Sequence, residues 1–391
     1  MSEQALTNLI SPTLEEHVVD FFKEVHQHPE LAGKETWTTK RIEQELNLLN
    51  IPIKDFNLET GVVADIVGDA NGPMVALRAD IDALPMDEAT DLEYKSKIPG
   101  VAHSCGHDFH FSALLGAAAL LMQEKDQLHG TVRLLFQPGE EKHLGAKEMV
   151  EAGVLKNVDA AFAFHDVSIA PVGTVGIRAG RIMASNDNFQ VTVHGVGSHA
   201  SAPQIGKDPI VTAAEMINLL QTVVSRNVDP ADRVVVTVGQ IDGGTANNVI
   251  PQECSFKGTL RSSSEESRQS AKKHLYQIIQ NTAIAFDQTV DIEWDQGPTQ
   301  VFNNQKLTSI VKGSASNFLQ EIPFPDADGD DDFATMEQEV PGCYVILGNK
   351  GQSIMHNPDF VANPDALKFG VKLDEQVAVD VLNYLAAGGK L

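Results

Sequence analysis

Cysteine is scarce in this sequence. Cys105, Cys254 and Cys343 are the only three among 391 residues. Three scattered thiols exclude a disulfide framework, and an odd count fits a reducing compartment. Positive charge is also in short supply, with 29 Lys and Arg against 54 Asp and Glu and a formal net charge of −25. A chain this acidic repels phosphate backbones and anionic lipid, which argues against nucleic acid and membrane surfaces as partners. It says little about a small substrate, because a local pocket can oppose the global sign. Apolar runs long enough to span a bilayer are missing. The segment Met1-Ser2-Glu3-Gln4-Ala5 lacks a basic region followed by an apolar run, so no signal peptide is expected and the default location is cytoplasmic. There is no long internal repeat and no low-complexity linker.

What is present is the composition of a globular protein, 42% hydrophobic and 21% charged. The length exceeds one ordinary core, so two domains are expected. Pro12 and the sequence Thr13-Leu14-Glu15-Glu16 read as the start of a capped helix near Thr13. A second helix follows over about Thr38–Leu49, then strands over Gly61–Gly68 and Met74–Leu84. Next come an Ala- and Leu-rich helix over Phe111–Gln123 and strands over Thr131–Gln137 and Ala160–His165. Strands alternating with helices predict an α/β fold with a mostly parallel sheet covered on both faces. Ligands of such sheets bind beyond the carboxyl ends of the strands. Asp80, Asp82, Glu140, Glu141 and His165 all fall at or just past such ends.

From about Ser185 the rhythm changes to strand, helix, strand, strand, helix, strand, the order of a ferredoxin-like α+β module. Residues 184–298 are therefore expected to be an inserted domain, between catalytic-domain segments 1–183 and 299–391. The last part predicts a helix over Gln305–Phe318, a strand over Gly342–Leu347 and a closing helix over Pro364–Leu385.

Several residues carry chemistry. Cys105 and His107, separated by the permissive Gly106, suit a borderline-soft divalent metal. On their own they equally fit a buried free thiol beside a structural histidine. In Gln137-Pro138-Gly139-Glu140-Glu141, successive side chains point different ways, so one carboxylate can bind metal while the other shuttles protons. The alternative is a solvated pair. His165 closes the apolar run Ala160–Phe164 and is either a capped core residue or a ligand. His356 lies in a loop before Asn357-Pro358. Five candidate ligands at strand ends exceed what chance commonly assembles.

Taken in order, His26-Gln27-His28-Pro29-Glu30-Leu31, Leu77-Arg78-Ala79-Asp80-Ile81-Asp82-Ala83-Leu84-Pro85, His103-Ser104-Cys105-Gly106-His107-Asp108, Gln137–Glu141, Gly197-Ser198-His199-Ala200 and His356-Asn357-Pro358 run through nearly the whole chain. With these motifs the sequence resembles the hippurate hydrolase and indole-acetyl-amino-acid amidohydrolase branch of the aminoacylase and carboxypeptidase-G-like di-metal peptidases. The resemblance implies metal-dependent hydrolysis of N-acyl amino acids, with a dipeptide-cleaving peptidase as the alternative. It implies that Cys105, His107, Glu141, His165 and His356 bind two divalent ions (Mn, Zn, Ni or Co) and that Glu140 is the general base. Asp80 and Asp82 would support the ligands from behind, His107 among them. His199, Asn248 and Arg261 match positions that contact substrate from the inserted domain, which would also form a homodimer. His199 would donate to the developing oxyanion.

Three places depart from the family's pattern. Asp166-Val167-Ser168 replaces an aromatic or polar residue followed by proline, in a loop expected to face the site and bear on the acyl group. Asp330 and Asp331 replace glycine and glutamate of a turn. His143 stands where small residues are usual. Asp326 to Asp332, with Glu337, imitates a calcium loop, but Asp331 stands at the glycine position and Pro323 and Pro325 oppose an entering helix. An acidic helix N-terminus starting near Asp331 is the preferred reading. A protein that binds metal or ligand without turnover remains a rival, against which an intact Glu140 weighs.

Overall fold

Proline suits the first position of a helix, where its missing N–H would be unpaired in any case. The first helix, α1 (Pro12–His26), begins this way, and the Ser11 hydroxyl accepts the Leu14 amide at 3.2 Å. The cap is thus Ser11, and the expected start at Thr13 lies inside the helix. The structure is a computed structural model and describes residues 9–324 and 329–391. The chain divides into two units. One comprises Met1–Ile182, Phe302–Asp326 and Asp331–Leu391, the other Met183–Val301 and Ala327–Asp330.

The first unit continues with α2 (Thr36–Leu48), β1 (Ile53–Lys54), β2 (Val62–Val67), β3 (Met74–Asp80) and α3 (His107–Gln123). Then follow β4 (Thr131–Gln137), α4 (Gly145–Glu151), β5 (Ala160–Val167), β6 (Thr174–Gly176) and β7 (Gly180–Arg181). The second unit holds β8 (Ser185–His194), β9 (Ser198–His199), α5 (Pro209–Asn227), β10 (Val234–Gly243), β11 (Val249–Ile250), β12 (Glu253–Ser262), α6 (Glu265–Ala285) and β13 (Thr289–Gln296). The chain returns to the first unit through β14 (Phe302–Asn303), α7 (Gln305–Ala315), β15 (Gln320–Ile322), α8 (Phe333–Glu337), β16 (Gly342–Gly348) and α9 (Leu367–Ala386).

Eight strands of the first unit form one sheet in the order β1-β2-β4-β3-β5-β16-β6-β15. Its centre, β4-β3-β5-β16, is parallel throughout, and antiparallel pairings sit to either side. Every residue of β4 and β16 is buried. Strands buried on successive residues have both faces covered, as a parallel sheet requires. Helix α3 is apolar nearly all round and buried along most of its length, so it serves as core rather than surface. It packs against α1, α9 and β3. It also starts four residues earlier than its apolar run suggests, because Gly106 takes φ +96° at its N-cap and turns the chain in ahead of His107. The closing helix α9 starts later than expected, after a separate 3-10 turn over Pro364–Ala366 capped by Asn363.

In the second unit β10-β12-β8-β13 form an antiparallel sheet. With α5 and α6 this is the ferredoxin-like module. Its core joins Val191, Val193, Met216, Leu220, Phe256 and Leu275. Strand β8 alternates buried and half-buried residues from Asp187 onward, the signature of a sheet with one covered face. Asp326 and Asp328 of the calcium-like sequence lie outside the described residues. The helix after them, α8, begins at Phe333 rather than near Asp331, and Asp331 Oδ1 accepts the Phe333 amide at 2.8 Å. Among the described residues no helix is long and apolar enough to cross a membrane.

Arg268 and Asp187 form a buried ion pair in the second unit, with Nε to Oδ2 at 2.9 Å and both side chains 1% exposed. Removing one partner strands the other charge in the interior. Asp187→Ala is expected to destabilise the protein by about 3–5 kcal/mol in urea unfolding. A loss below about 1 kcal/mol would show that the Arg268 charge is otherwise accommodated.

Candidate metal centre

The parallel centre of the sheet brings three strand ends side by side. Asp80 ends β3, Gln137 ends β4, and His165 lies near the end of β5. Asp82 follows β3 by two residues. Glu140 and Glu141 follow β4 through Pro138 and Gly139, whose φ of +64° turns the chain back over the sheet. Cys105 arrives on the loop before α3, and His107 is that helix's first residue. His356 arrives on the loop after β16 and holds φ +61°, with its amide donating to Ser104 O at 2.7 Å. That bond ties the His356 loop to the residue before Cys105.

All six expected metal and base residues meet there. Cys105 Sγ lies 3.5 Å from His165 Nε2, and His356 Nε2 lies 3.4 Å from Glu141 Oε1. His107 Nε2 lies 3.9 Å from Glu140 Oε2 and 4.0 Å from Glu141 Oε1. Three overlapping groups have their donor atoms within 4.8 Å of one another: Cys105, His107 and His165; Cys105, Glu141 and His356; and His107, Glu140 and Glu141. Hydrogen bonds fix the ring orientations. His107 Nδ1 donates to Asp82 O at 2.9 Å, and His165 Nδ1 donates to Asp166 O at 2.7 Å. Each Nε2 is thereby turned toward the cluster, where a cation would take the place of a proton on His107. His107 Nε2 is buried and makes no hydrogen bond, a costly state that a cation relieves. Thiolate, imidazole and carboxylate donors at this spacing fit divalent ions of the zinc and manganese kind.

Asp82 links the two halves of this cluster. Its Oδ1 accepts the Glu140 amide at 3.1 Å and its Oδ2 the Glu141 amide at 3.0 Å, while Oδ1 also lies 3.2 Å from His107 Nδ1. Asp80 acts on its surroundings through charge and hydrogen bonds. It stands 3.8 Å from His107 Nε2, but its hydrogen bonds go to His110 Nδ1 at 2.6 Å and Arg78 Nη1 at 2.7 Å. It orients His110, three residues along the same face of α3 as His107.

Of the departures from the family's pattern, Asp166, Ser168 and Asp331 are buried, whereas Val167, His143 and Asp330 are half-buried. Asp166 belongs to β5 and is wholly buried. Its Oδ1 accepts from His110 Nε2 at 2.8 Å, and its other oxygen accepts from Asn349 Nδ2. Asp166 itself is therefore an interior strand residue rather than a loop residue. A side chain at Gly106 would collide with Asp166, which accounts for glycine there. Asp331 and Asp332 are equally buried and share Arg78 with Asp80, at 3.2 and 2.9 Å from Nη2. They are interior ion-pair partners rather than a solvated helix start. His143 takes φ +54° after the turn that carries Glu140 and Glu141. Behind Asp108, His26 lies 2.6 Å from Asp108 and 3.4 Å from Glu88. Burial works against its charge, but the two carboxylates outweigh this and raise its pKa to about 9.

In the second unit, β9 pairs with β11, which sets His199 opposite Val249, and Ala200 N donates to Asn248 O at 3.1 Å. His199 and Asn248 are thus neighbours. Arg261 lies on β12 and donates to Asp330 Oδ1 at 2.9 Å.

The electrostatics separate the two adjacent glutamates. Burial, followed by the carboxylates of Asp331 and Asp332, pushes Glu140 well above the usual range. Burial acts on Glu141 too, but the bond to His356 and the charge of His107 bring it below the usual value.

The sequence pattern of Peptidase family M20/M25/M40 matches residues 76–380. This chain belongs to that family. It is 41% identical to N-acetyl-L-cysteine deacetylase of Bacillus subtilis, over 91% of this chain and 86% of the relative. It is 38% identical to IAA-amino acid hydrolase ILR1-like 5 of Arabidopsis thaliana, over 93% and 86%. The structure of the Bacillus subtilis YXEP protein, described as a dinuclear metal binding peptidase of the M20 family, superposes with a TM-score of 0.85 at 34% identity, covering 95% of this chain and 99% of that one. The M20/M25/M40 chain is accordingly a metal-dependent hydrolase of amide or peptide bonds, of the amidohydrolase branch.

Burial pushes the Cys105 thiol well above its ordinary range. Burial opposes a charge on His107, but Asp80 and Cys105 outweigh it and hold the imidazole protonated well above its ordinary value. A cation must displace both protons, so affinity is predicted to weaken as pH falls, by about tenfold per unit for each proton released. Calorimetry in buffers of different ionisation heat between pH 6 and 8 checks this. Binding without proton release would contradict it.

Proposed function

We propose that this protein hydrolyses the amide bond of N-acyl amino acids, with Glu140 as general base and Cys105, His107, Glu141, His165 and His356 as ligands of two divalent ions. The observation that carries the reading is the convergence of thiol, imidazole and carboxylate donor atoms within 4.8 Å of one another, with Glu140 Oε2 3.9 Å from His107 Nε2 beside them. Bound manganese, zinc, nickel or cobalt supplies Lewis-acid polarisation of the scissile carbonyl and makes water more acidic. Glu140 Oε2 takes the proton of the attacking water as the new C–O bond forms at the amide carbon. The same carboxyl then passes the proton to the amide nitrogen as the C–N bond breaks, so a neutral amine leaves. Asp82 keeps Glu140 and His107 in register throughout.

Two relatives are named for acylated or conjugated amino acids, which supports this substrate class over a dipeptide. We assign His199 to the developing oxyanion, and Asn248 and Arg261 to the substrate's polar end. The support is the resemblance of their motifs and the adjacency of His199 and Asn248. Arg is suited to a carboxylate by its paired donors. We also propose that two copies pair through the inserted module, where Ile210, Val211, Leu219 and Val235 leave apolar surface exposed. The three free cysteines, Cys105 among the ligands, fit a reducing cytoplasm.

The test is a set of N-acyl amino acids and dipeptides offered to enzyme loaded with each of the four metals. N-acyl amino acids are expected to be cleaved best. Glu140→Gln is expected to keep its metal and lose about 100-fold or more in kcat. Wild-type turnover in that variant would remove Glu140 from the mechanism. Cys105→Ala is expected to lose metal at one site by elemental analysis, and full occupancy would refute ligation by the thiolate.

A further inference from the structure

An acidic residue at the start of a helix ordinarily serves that helix. Glu35 stands at the N-cap of α2, yet its side chain makes no capping bond. Glu30 does the capping instead, with its carboxylate accepting the Trp37 and Thr38 amides at 2.9 Å each. Glu35 is thereby released for another task, and it is wholly buried. Its Oε1 accepts the amides of Gly33 at 3.0 Å and of Gly139 at 2.8 Å, and its Oε2 accepts the Thr60 hydroxyl at 2.9 Å. Among the described residues these partners are two amides and a hydroxyl, with no cation to offset the charge. A buried carboxylate so arranged is an expensive way to hold a loop.

The bond to Gly139 is what matters. Gly139 immediately precedes Glu140 and sits in the left-handed region, where the chain is free to turn in more than one way. Three successive amides there end on two carboxylates: Gly139 on Glu35, and Glu140 and Glu141 on Asp82. Asp82 is shared with His107, so it cannot be changed without disturbing a proposed metal ligand. Glu35 touches none of the proposed ligands. Its neighbours brace the same turn from behind. Thr39 Oγ1 accepts the Gly61 amide at 2.9 Å, and Gly61 lies so close to Pro138 that a Cβ there would fall 2.6 Å from Pro138 Cδ.

We infer that Glu35 is a positioning residue for Glu140: by holding the Gly139 amide it fixes the turn that presents the general base. The inference rests on the reading of Glu140 as that base. What the role requires is an acceptor at the right reach. In Glu35→Gln the amide oxygen can keep both main-chain bonds while its NH2 donates to Thr60. In Glu35→Asp the charge stays but the reach is one methylene short.

The experiment measures kcat, KM, bound metal and thermal midpoint for both variants and for Glu140→Gln, on the full-length metal-loaded enzyme. Glu35→Asp is expected to lose about 10- to 100-fold in kcat, with KM within about twofold and metal content unchanged. Glu35→Gln is expected to stay within about threefold of wild type. The inference is overturned if Glu35→Asp turns over at the wild-type rate, if its loss is matched by lost metal, or if Glu35→Gln fails to restore turnover. Activity surviving in Glu140→Gln would instead sink the assignment of the base. A dead Glu140→Gln beside an unimpaired Glu35→Asp would sink only the inference about Glu35.

Discussion

One residue, Asp82, joins the proposed metal-binding side of the centre to its proposed acid–base side. It receives His107 Nδ1 through its carbonyl and Oδ1, and the amides of Glu140 and Glu141 through its two side-chain oxygens. A carboxylate can accept several bonds at once, and here those bonds leave little freedom in where a ligand and a base stand relative to each other. The rest of the first unit serves to bring the three strand ends within reach of that group. Parallel pairing of β3 with β4 sets Asp80 beside Gln137, and the chain beyond each then falls on the same edge. Reactive groups held by strand ends are more precisely placed than groups carried by loops alone.

Around this centre the interior is unusually charged. Arg78 is shared by three aspartates, His110 lies between two, and His26 lies between Asp108 and Glu88. Such networks stabilise little in net terms, because desolvation offsets most of the Coulomb gain. Their consequence is orientation and local field. Asp331 and Asp332 stand among the causes of the raised pKa of Glu140, and Arg78 holds them in place. A site with less buried charge nearby would hold the same side chains but tune them less.

Much of this was legible from the order of residues. The switch to strand, helix, strand, strand, helix, strand after Ser185 announced the ferredoxin-like module, because burial on one sheet face imposes a local periodicity. That Cys105, His107, Glu140, Glu141, His165 and His356 gather in one place was legible from their motifs, although only His165 among them lies in a strand. What stayed hidden was the partnership between distant residues. Arg78 and Asp332 lie 254 positions apart, and Glu35 and Gly139 lie 104 apart. No local pattern marks such pairs. Asp166 looked like part of a substrate loop because a histidine at a strand end suggests that the strand stops there, whereas β5 runs on to Val167. Thr13 looked like a cap because it has the same hydroxyl chemistry as Ser11, and only Pro12 between them decides which one lies outside the helix.

The most direct test of the account is where metal binds and which carboxylate it leaves free. Crystals grown with manganese, measured at wavelengths on both sides of its absorption edge, give anomalous peaks that locate each ion. The account predicts two ions held by Cys105, His107, Glu141, His165 and His356, with the Glu140 carboxylate uncoordinated and Asp82 still bonded to His107 and to the Glu140 amide. An ion coordinated by Glu140, or one lodged among His110, Asp80 and Asp166, would contradict it.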